Sequence, residues 1–144
     1  MTDADTRVDP ALPPGLVPPG TTELGIDIIK VDRIRRSLAR FGPRFSNRVL
    51  TPSEQRYVRD RPETFAGRWA AKEAVLKALG TGWTRGIHWQ DIEVRNELGG
   101  KPLIALGGGA RELCLQVGIS EVMITISHCR SYATAYAIAI GKDG

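Results

Sequence analysis

Residues 67–82 read GRWAAKEAVLKALGTG, and the spacing of their apolar positions governs how the rest of the chain is read. Ala71, Ala74, Val75 and Ala78 recur at i, i+3, i+4 and i+7, the period of one helix face. Such small side chains suit close packing against a sheet. Arg68, Lys72, Glu73 and Lys77 mark a charged edge, where residues four apart, Glu73 with Lys77 and Arg68 with Lys72, are surface neighbours. Gly80, just past Leu79, fits a C-terminal glycine cap. The stretch predicts a long central helix that begins near Glu63, after Pro62.

The sheet to receive it is written at the C-terminus. EVMITISHCRSYATAYAIAI, residues 121–140, predicts two strands with a turn around Cys129 to Ser131. In the second strand Tyr132, Thr134, Tyr136, Ile138 and Ile140 alternate with four alanines, giving one bulky and one flat face. The flat face is suited to the alanine stripe of the helix. Upstream, ELGIDIIKV predicts a buried strand with Asp27 as its misfit. VDRIRRSLARFG follows as a helix with Asp32 as its N-cap, ending at Gly42 and Pro43. A short turn comes next, and then TPSEQRYVRD opens with a Thr51 to Glu54 capping-box spacing that predicts two helical turns.

Beyond the glycine-rich connector GTGWTRGI, HWQDIEVRN and KPLIALG predict a hairpin turning at Glu97 to Gly100. GGGARELCLQVG predicts a short amphipathic helix, with Leu113 and Val117 four apart. Residues 1–22, with Pro10, Pro13, Pro14, Pro18 and Pro19 and no periodic apolar face, are expected to be a flexible tail to a domain over 23–141. The element order favours an α+β fold, a small single domain with a long central helix packed on an antiparallel sheet.

At 144 residues and 42% hydrophobic composition the chain suits one domain with a modest core. No apolar run approaches the roughly 20 residues of a membrane-spanning helix. Two cysteines and no signal-peptide core point to a reduced, cytoplasmic setting. The net charge of +4 hints at an acidic partner or ligand. It concentrates between Lys30 and Arg48, where Arg33, Arg36 and Arg40 share a helix face. A solvated basic face is the plain explanation, and an acidic partner the functional one.

Several residues carry candidate chemistry. An ionised Asp27 between Ile26 and Ile28 costs several kcal/mol unless paired or metal-bound, the alternative being an edge position that faces solvent. Glu73 and Lys77, taken alone, make an ordinary helix ion pair. Two carboxylates from different elements in apolar settings are also what magnesium uses, with water and phosphate oxygens completing its octahedron. Cys129 beside His128 does not make a thiol catalyst, because strand neighbours face opposite sides and no partner acid is apparent. LGTG and LGGGA lack the lysine and hydroxyl of a Walker loop. A nonenzymatic binding module holding nucleic acid or an acidic protein on the 30–48 run is the rival reading; that run has only Phe41 and Phe45 as aromatics, which argues against single-strand stacking.

The combination resembles the holo-acyl-carrier-protein synthase family, the small 4′-phosphopantetheinyl transferases. The resemblance rests on GIDIIKVDRI at 25–34, RVLTPSE at 48–54, FAGRWAAKEAVLKALGTG at 65–82, DIEVRNELGGKP at 91–102 and ITISHCRSYATAYAI at 124–138. Its most specific element is W-x-x-K-E-x-x-x-K at 69–77, together with G-I-D upstream. The resemblance implies Asp27 and Glu73 as magnesium ligands and Glu73 and Lys77 as catalytic residues. It implies a coenzyme A site using Arg68, Lys77, Gly80, Thr81 and His128, and an acidic acyl carrier protein held by Arg33, Arg36 and Arg40.

The implied reaction moves phosphopantetheine from coenzyme A to a carrier-protein serine and releases adenosine 3′,5′-bisphosphate, as a step that serves fatty acid biosynthesis. Glu73 or a water held by it or the metal is the candidate base. The family also implies a homotrimer with active sites between subunits, and no nucleic acid or membrane partner. Cys129 stands where the family often carries an acidic or small polar residue after the histidine.

Overall fold

The computed structural model describes residues 22–83 and 86–141, so the expected tail lies, apart from Thr22, outside the described residues. The chain runs through β1 (Thr22–Lys30), α1 (Val31–Phe41), α2 (Pro43–Val49), α3 (Pro52–Val58), α4 (Pro62–Leu79), β2 (Ile92–Asn96), β3 (Pro102–Leu106), α5 (Gly108–Val117), β4 (Ile119–His128) and β5 (Tyr132–Gly141). β1, β5 and β4 form an antiparallel sheet in that order, and β2 pairs with β3 in a separate hairpin. The expected α+β architecture with a central helix on an antiparallel sheet is the one observed. No helix among the described residues is long and apolar enough to cross a membrane.

The fold is organised by the two small-residue surfaces. Ala71, Ala74, Val75 and Ala78 of α4 are buried, and so are Ala133, Ala135, Ala137 and Ala139 of β5. β1 lies tightly against the helix at Gly25, where an added Cβ would lie 2.0 Å from the Ala74 carbonyl oxygen and 2.6 Å from the Ala78 nitrogen. These are backbone atoms and cannot turn aside. Gly25→Ala is expected to destabilise the protein by about 1–3 kcal/mol through overpacking, read as a lower denaturation midpoint. An unchanged midpoint would mean that this approach is not tight.

Four details differ from the sequence expectations. Asp32 is not the N-cap of α1; Lys30 occupies that position without a side-chain cap bond, and Asp32 lies in the first helical turn, paired with Arg35 at 3.1 Å. Residues 43–49 form α2 rather than a turn, started by Pro43, whose fixed φ suits a first helical turn; seven residues are too few to display a helical period. Trp89–Asp91 forms a single 3-10 turn ahead of β2. Finally, β1 is buried on one face only. Alternation turns Gly25, Asp27 and Ile29 toward α4, while Leu24, Ile26 and Ile28 are 56%, 61% and 66% exposed. Opposite strand neighbours extend this apolar outer face, with Ile26 against Tyr136 and Leu24 against Ile138.

Two expected helix boundaries are present. Thr51 and Glu54 form the reciprocal capping box that starts α3. Gly80 ends α4 in the left-handed conformation, φ 76°, where glycine carries no side-chain penalty.

Candidate functional site

β1 and α4 bring Asp27 and Lys77 together. The contact at Gly25 sets the two elements side by side, so that Lys77 Nζ donates to Asp27 Oδ1 at 3.0 Å and to the Ile26 carbonyl at 3.0 Å. The Asp27 side chain is 15% exposed and that of Lys77 55%. Asp27 is therefore paired and half-buried rather than facing solvent. The simple Glu73–Lys77 helix pair is not formed: Lys77 reaches across to β1, and Glu73 Oε1 accepts from Trp83 Nε1 at 3.1 Å. Glu73 remains on the same edge, one turn before Lys77, with Cβ atoms about 5–6 Å apart by helix geometry. Gly80 and Thr81 follow at the end of this helix.

Among the described residues no group of three or more histidine, cysteine or acidic side chains is placed to hold a metal. Asp27 and Glu73 offer two hard oxygen ligands. That set fits magnesium, which keeps several waters and binds through one or two carboxylates plus substrate phosphates, and it does not fit a structural zinc centre.

Arg68 and His128 lie elsewhere. Arg68 precedes Lys77 by nine residues, about 14 Å along the helix. Arg68 and His128 line a groove of about 600 Å³, together with Tyr57, Arg61, Cys129 and Arg130. Arg68 is only 5% exposed, lies over the Tyr57 ring at 4.1 Å and donates through Nη2 to Asn96 Oδ1. Its Nε is buried without a hydrogen-bond partner, and burial lowers its pKa. A guanidinium that lines a basic groove is suited to a phosphate oxygen. The residues expected for coenzyme A thus fall into two groups within one chain, Lys77, Gly80 and Thr81 in one and Arg68 and His128 in the other. Arg61 and Arg130 escaped the sequence reading because nothing in their spacing marks them as groove residues.

Lys72 has no place on the charged edge. It is fully buried, with Nζ bonded to Glu54 Oε1 at 2.7 Å, the Val49 carbonyl at 2.6 Å and the Trp89 carbonyl at 3.1 Å. Arg33, Arg36 and Arg40 are exposed on α1, whose opposite side buries Val31 and Ile34. Arg35 is tied to Asp32 and Glu63.

The two cysteines differ sharply. Cys114 is buried, and burial pushes its thiol up to about 11. Cys129 is exposed, and backbone hydrogen bonds from Ser131 and Tyr132 lower its pKa. Iodoacetamide is expected to label Cys129 in the folded protein and Cys114 only after denaturation, as peptide mapping would read. Equal labelling of both in the folded state would contradict this.

Comparison with known proteins gives a consistent result. Residues 23–140 match the family model described as the 4′-phosphopantetheinyl transferase superfamily. The chain is 45% identical over 122 residues to the holo-[acyl-carrier-protein] synthase of Protochlamydia amoebophila, covering 82% of this chain and 97% of that protein. It is 48% identical over 119 residues to that of Moorella thermoacetica, covering 81% and 91%. The crystal structure of Helicobacter pylori holo-[acyl-carrier-protein] synthase in complex with coenzyme A superposes with a TM-score of 0.74 at 33% identity, covering 81% of this chain and 98% of that one. The chain therefore belongs to the 4′-phosphopantetheinyl transferase superfamily and, within it, to the holo-[acyl-carrier-protein] synthase family of enzymes.

Proposed function

We propose that this enzyme transfers 4′-phosphopantetheine from coenzyme A to a serine of an acidic apo acyl carrier protein, with magnesium, and releases adenosine 3′,5′-bisphosphate. The observation that carries the reading is the Lys77–Asp27 contact at 3.0 Å between α4 and β1, with Glu73 one turn away on the same edge. Asp27 and Glu73 would hold the metal. When bound, it neutralises charge on the pyrophosphate oxygens.

The serine oxygen forms a bond to the phosphorus that carries the pantetheine, and the bond from that phosphorus to the bridging oxygen breaks. Lys77, an ammonium on a flexible stem, donates to the phosphate and offsets the charge that develops there. The serine proton passes to Glu73 or to a water that it holds. Arg68 and His128, at the basic groove, are assigned to coenzyme A, and Gly80 and Thr81 to the backbone approach at the end of α4. Arg33, Arg36 and Arg40 form an exposed cationic face for the carrier protein, which steers its encounter and sets its orientation.

Arg68 and Lys77, one from each group of coenzyme A residues, are about 14 Å apart along α4, which supports a homotrimer whose active sites each draw on two chains. The exposed apolar outer face of the sheet supports the same assembly, since a patch of this kind marks an association surface. Two free cysteines fit a cytoplasmic setting, where the product would serve fatty acid biosynthesis.

Intact-mass spectrometry tests the reaction. Apo acyl carrier protein incubated with the enzyme, coenzyme A and magnesium is expected to gain the mass of one phosphopantetheine. No gain with an acceptor that other synthases modify would overturn the reading.

A further inference from the structure

Glu73 takes its hydrogen bond from outside its own helix. Trp83, on the loop beyond α4, donates Nε1–H to Glu73 Oε1 at 3.1 Å. Gly80 and Gly82, at φ 76° and 62°, let the chain turn back toward the helix there. The Trp83 ring is itself held in place. It lies against Trp89 with centroids 3.8 Å apart, and Trp89 lies against Trp69 at 4.3 Å. Trp69 belongs to α4, one turn before Glu73, so the aromatic ladder closes on the helix that bears the carboxylate. Among the described residues Glu73 Oε1 is the carboxylate oxygen engaged, and Oε2 is left without a donor.

We propose that Trp83 is a positioning residue for the Glu73 carboxylate, its indole N–H holding Oε1 so that Oε2 is presented to a divalent cation. This rests on the reading of Asp27 and Glu73 as magnesium ligands. An indole N–H is a donor only, so Trp83 cannot ligate a metal and acts through Glu73. It is also neutral, so it orients the carboxylate without cancelling the charge that a cation needs. Partners of this kind restrict the rotamers of a metal-binding side chain, and removing one typically costs about 10-fold to 100-fold in metal affinity.

The test is a Mn2+ titration of the protein without nucleotide, following the electron paramagnetic resonance signal of the free ion. The parent, Trp83→Phe and Glu73→Gln are compared. Phenylalanine keeps an aromatic ring for Trp89 to stack on and removes the N–H together with part of the indole's stacking area, and circular dichroism checks that the fold is retained. Mn2+ binding about tenfold weaker in Trp83→Phe, with an unchanged spectrum and with binding lost in Glu73→Gln, supports the proposal. A purely structural, stacking role predicts parental affinity in Trp83→Phe, and that outcome together with loss in Glu73→Gln overturns the role of Trp83 alone. Parental affinity in Glu73→Gln overturns the metal reading and this inference with it.

Discussion

Replacing Asp27 or Glu73 with alanine is expected to lower the rate of phosphopantetheine transfer about a thousandfold. Each change removes one of the two carboxylates assigned to magnesium. Metal stabilisation of a transferring phosphoryl group is worth several kcal/mol, and about 4 kcal/mol corresponds to three orders of magnitude. Asp27→Ala has a second consequence, because the carboxylate also holds Lys77 Nζ at 3.0 Å. Without it the ammonium that would meet the phosphate keeps the Ile26 carbonyl at 3.0 Å and loses its carboxylate partner. Neither change opens the core, because Asp27 and Glu73 are both only partly buried. Rates from intact-mass assays, with circular dichroism and sedimentation to confirm fold and assembly, provide the check. A variant that keeps more than a tenth of the parental rate would remove its residue from the metal site.

Lys72→Met is expected to cost about 3–5 kcal/mol of stability, because it leaves a buried carboxylate without its cation. Lys72 and Glu54 are both fully buried side chains in contact at 2.7 Å. Burial lowers the Lys72 pKa, and the nearby Glu54 charge opposes that shift. The ammonium ties α4 to the Val49 carbonyl at the end of α2 and the Trp89 carbonyl ahead of β2. Glu54 in turn accepts from the backbone nitrogens of Thr51 and Val94 at 3.0 Å each.

This network makes the pair a strut among four elements, and it limits what a second substitution can repair. Buried ion pairs can often be exchanged for apolar residues at little cost, but Lys72→Met with Glu54→Leu would still strand the Thr51 and Val94 donors. The double variant is expected to stay well below the parent in chemical denaturation. A single variant within about 1 kcal/mol of the parent would show that the pair contributes little.

The strut also explains why a lysine can sit in the middle of an apolar helix beside a proposed metal ligand without sharing its role. In the sequence Lys72 and Lys77 belong to one charged edge with Glu73, and only Lys77 is its helical neighbour four residues on. Their separation is decided by rotation: one step of about 100° around α4 turns Lys72 toward α2, α3 and β2, while Glu73 and Lys77 stay on the edge that meets β1.

The elements of the fold were largely legible because each strong local pattern has a single structural use. The alanine stripe at 71–78 and the alternating alanines at 133–139 need flat partners, and they are each other's. The capping box at Thr51 and the glycine at 80 mark boundaries by local hydrogen bonding and backbone freedom, which a sequence states directly. α2 was not legible, since seven residues begun by a proline show no period. The outer face of β1 was legible only as apolar. Leu24, Ile26 and Ile28 have the same chemistry whether a core or a second chain covers them, so alternation could not say which.

For the site, the residue types at 27, 73 and 77 follow from the sequence motif alone. Which of them meet was decided in three dimensions. Lys77 leaves its helical neighbour for Asp27 because Gly25 lets β1 approach α4 closely enough, and Glu73 turns to Trp83 because the aromatic ladder delivers a donor from a loop that no periodicity marks. Arg68 lies about 14 Å from Lys77 along one rigid helix, a separation that the sequence fixes in length but to which only the packed groove around Arg68 gives a chemical purpose.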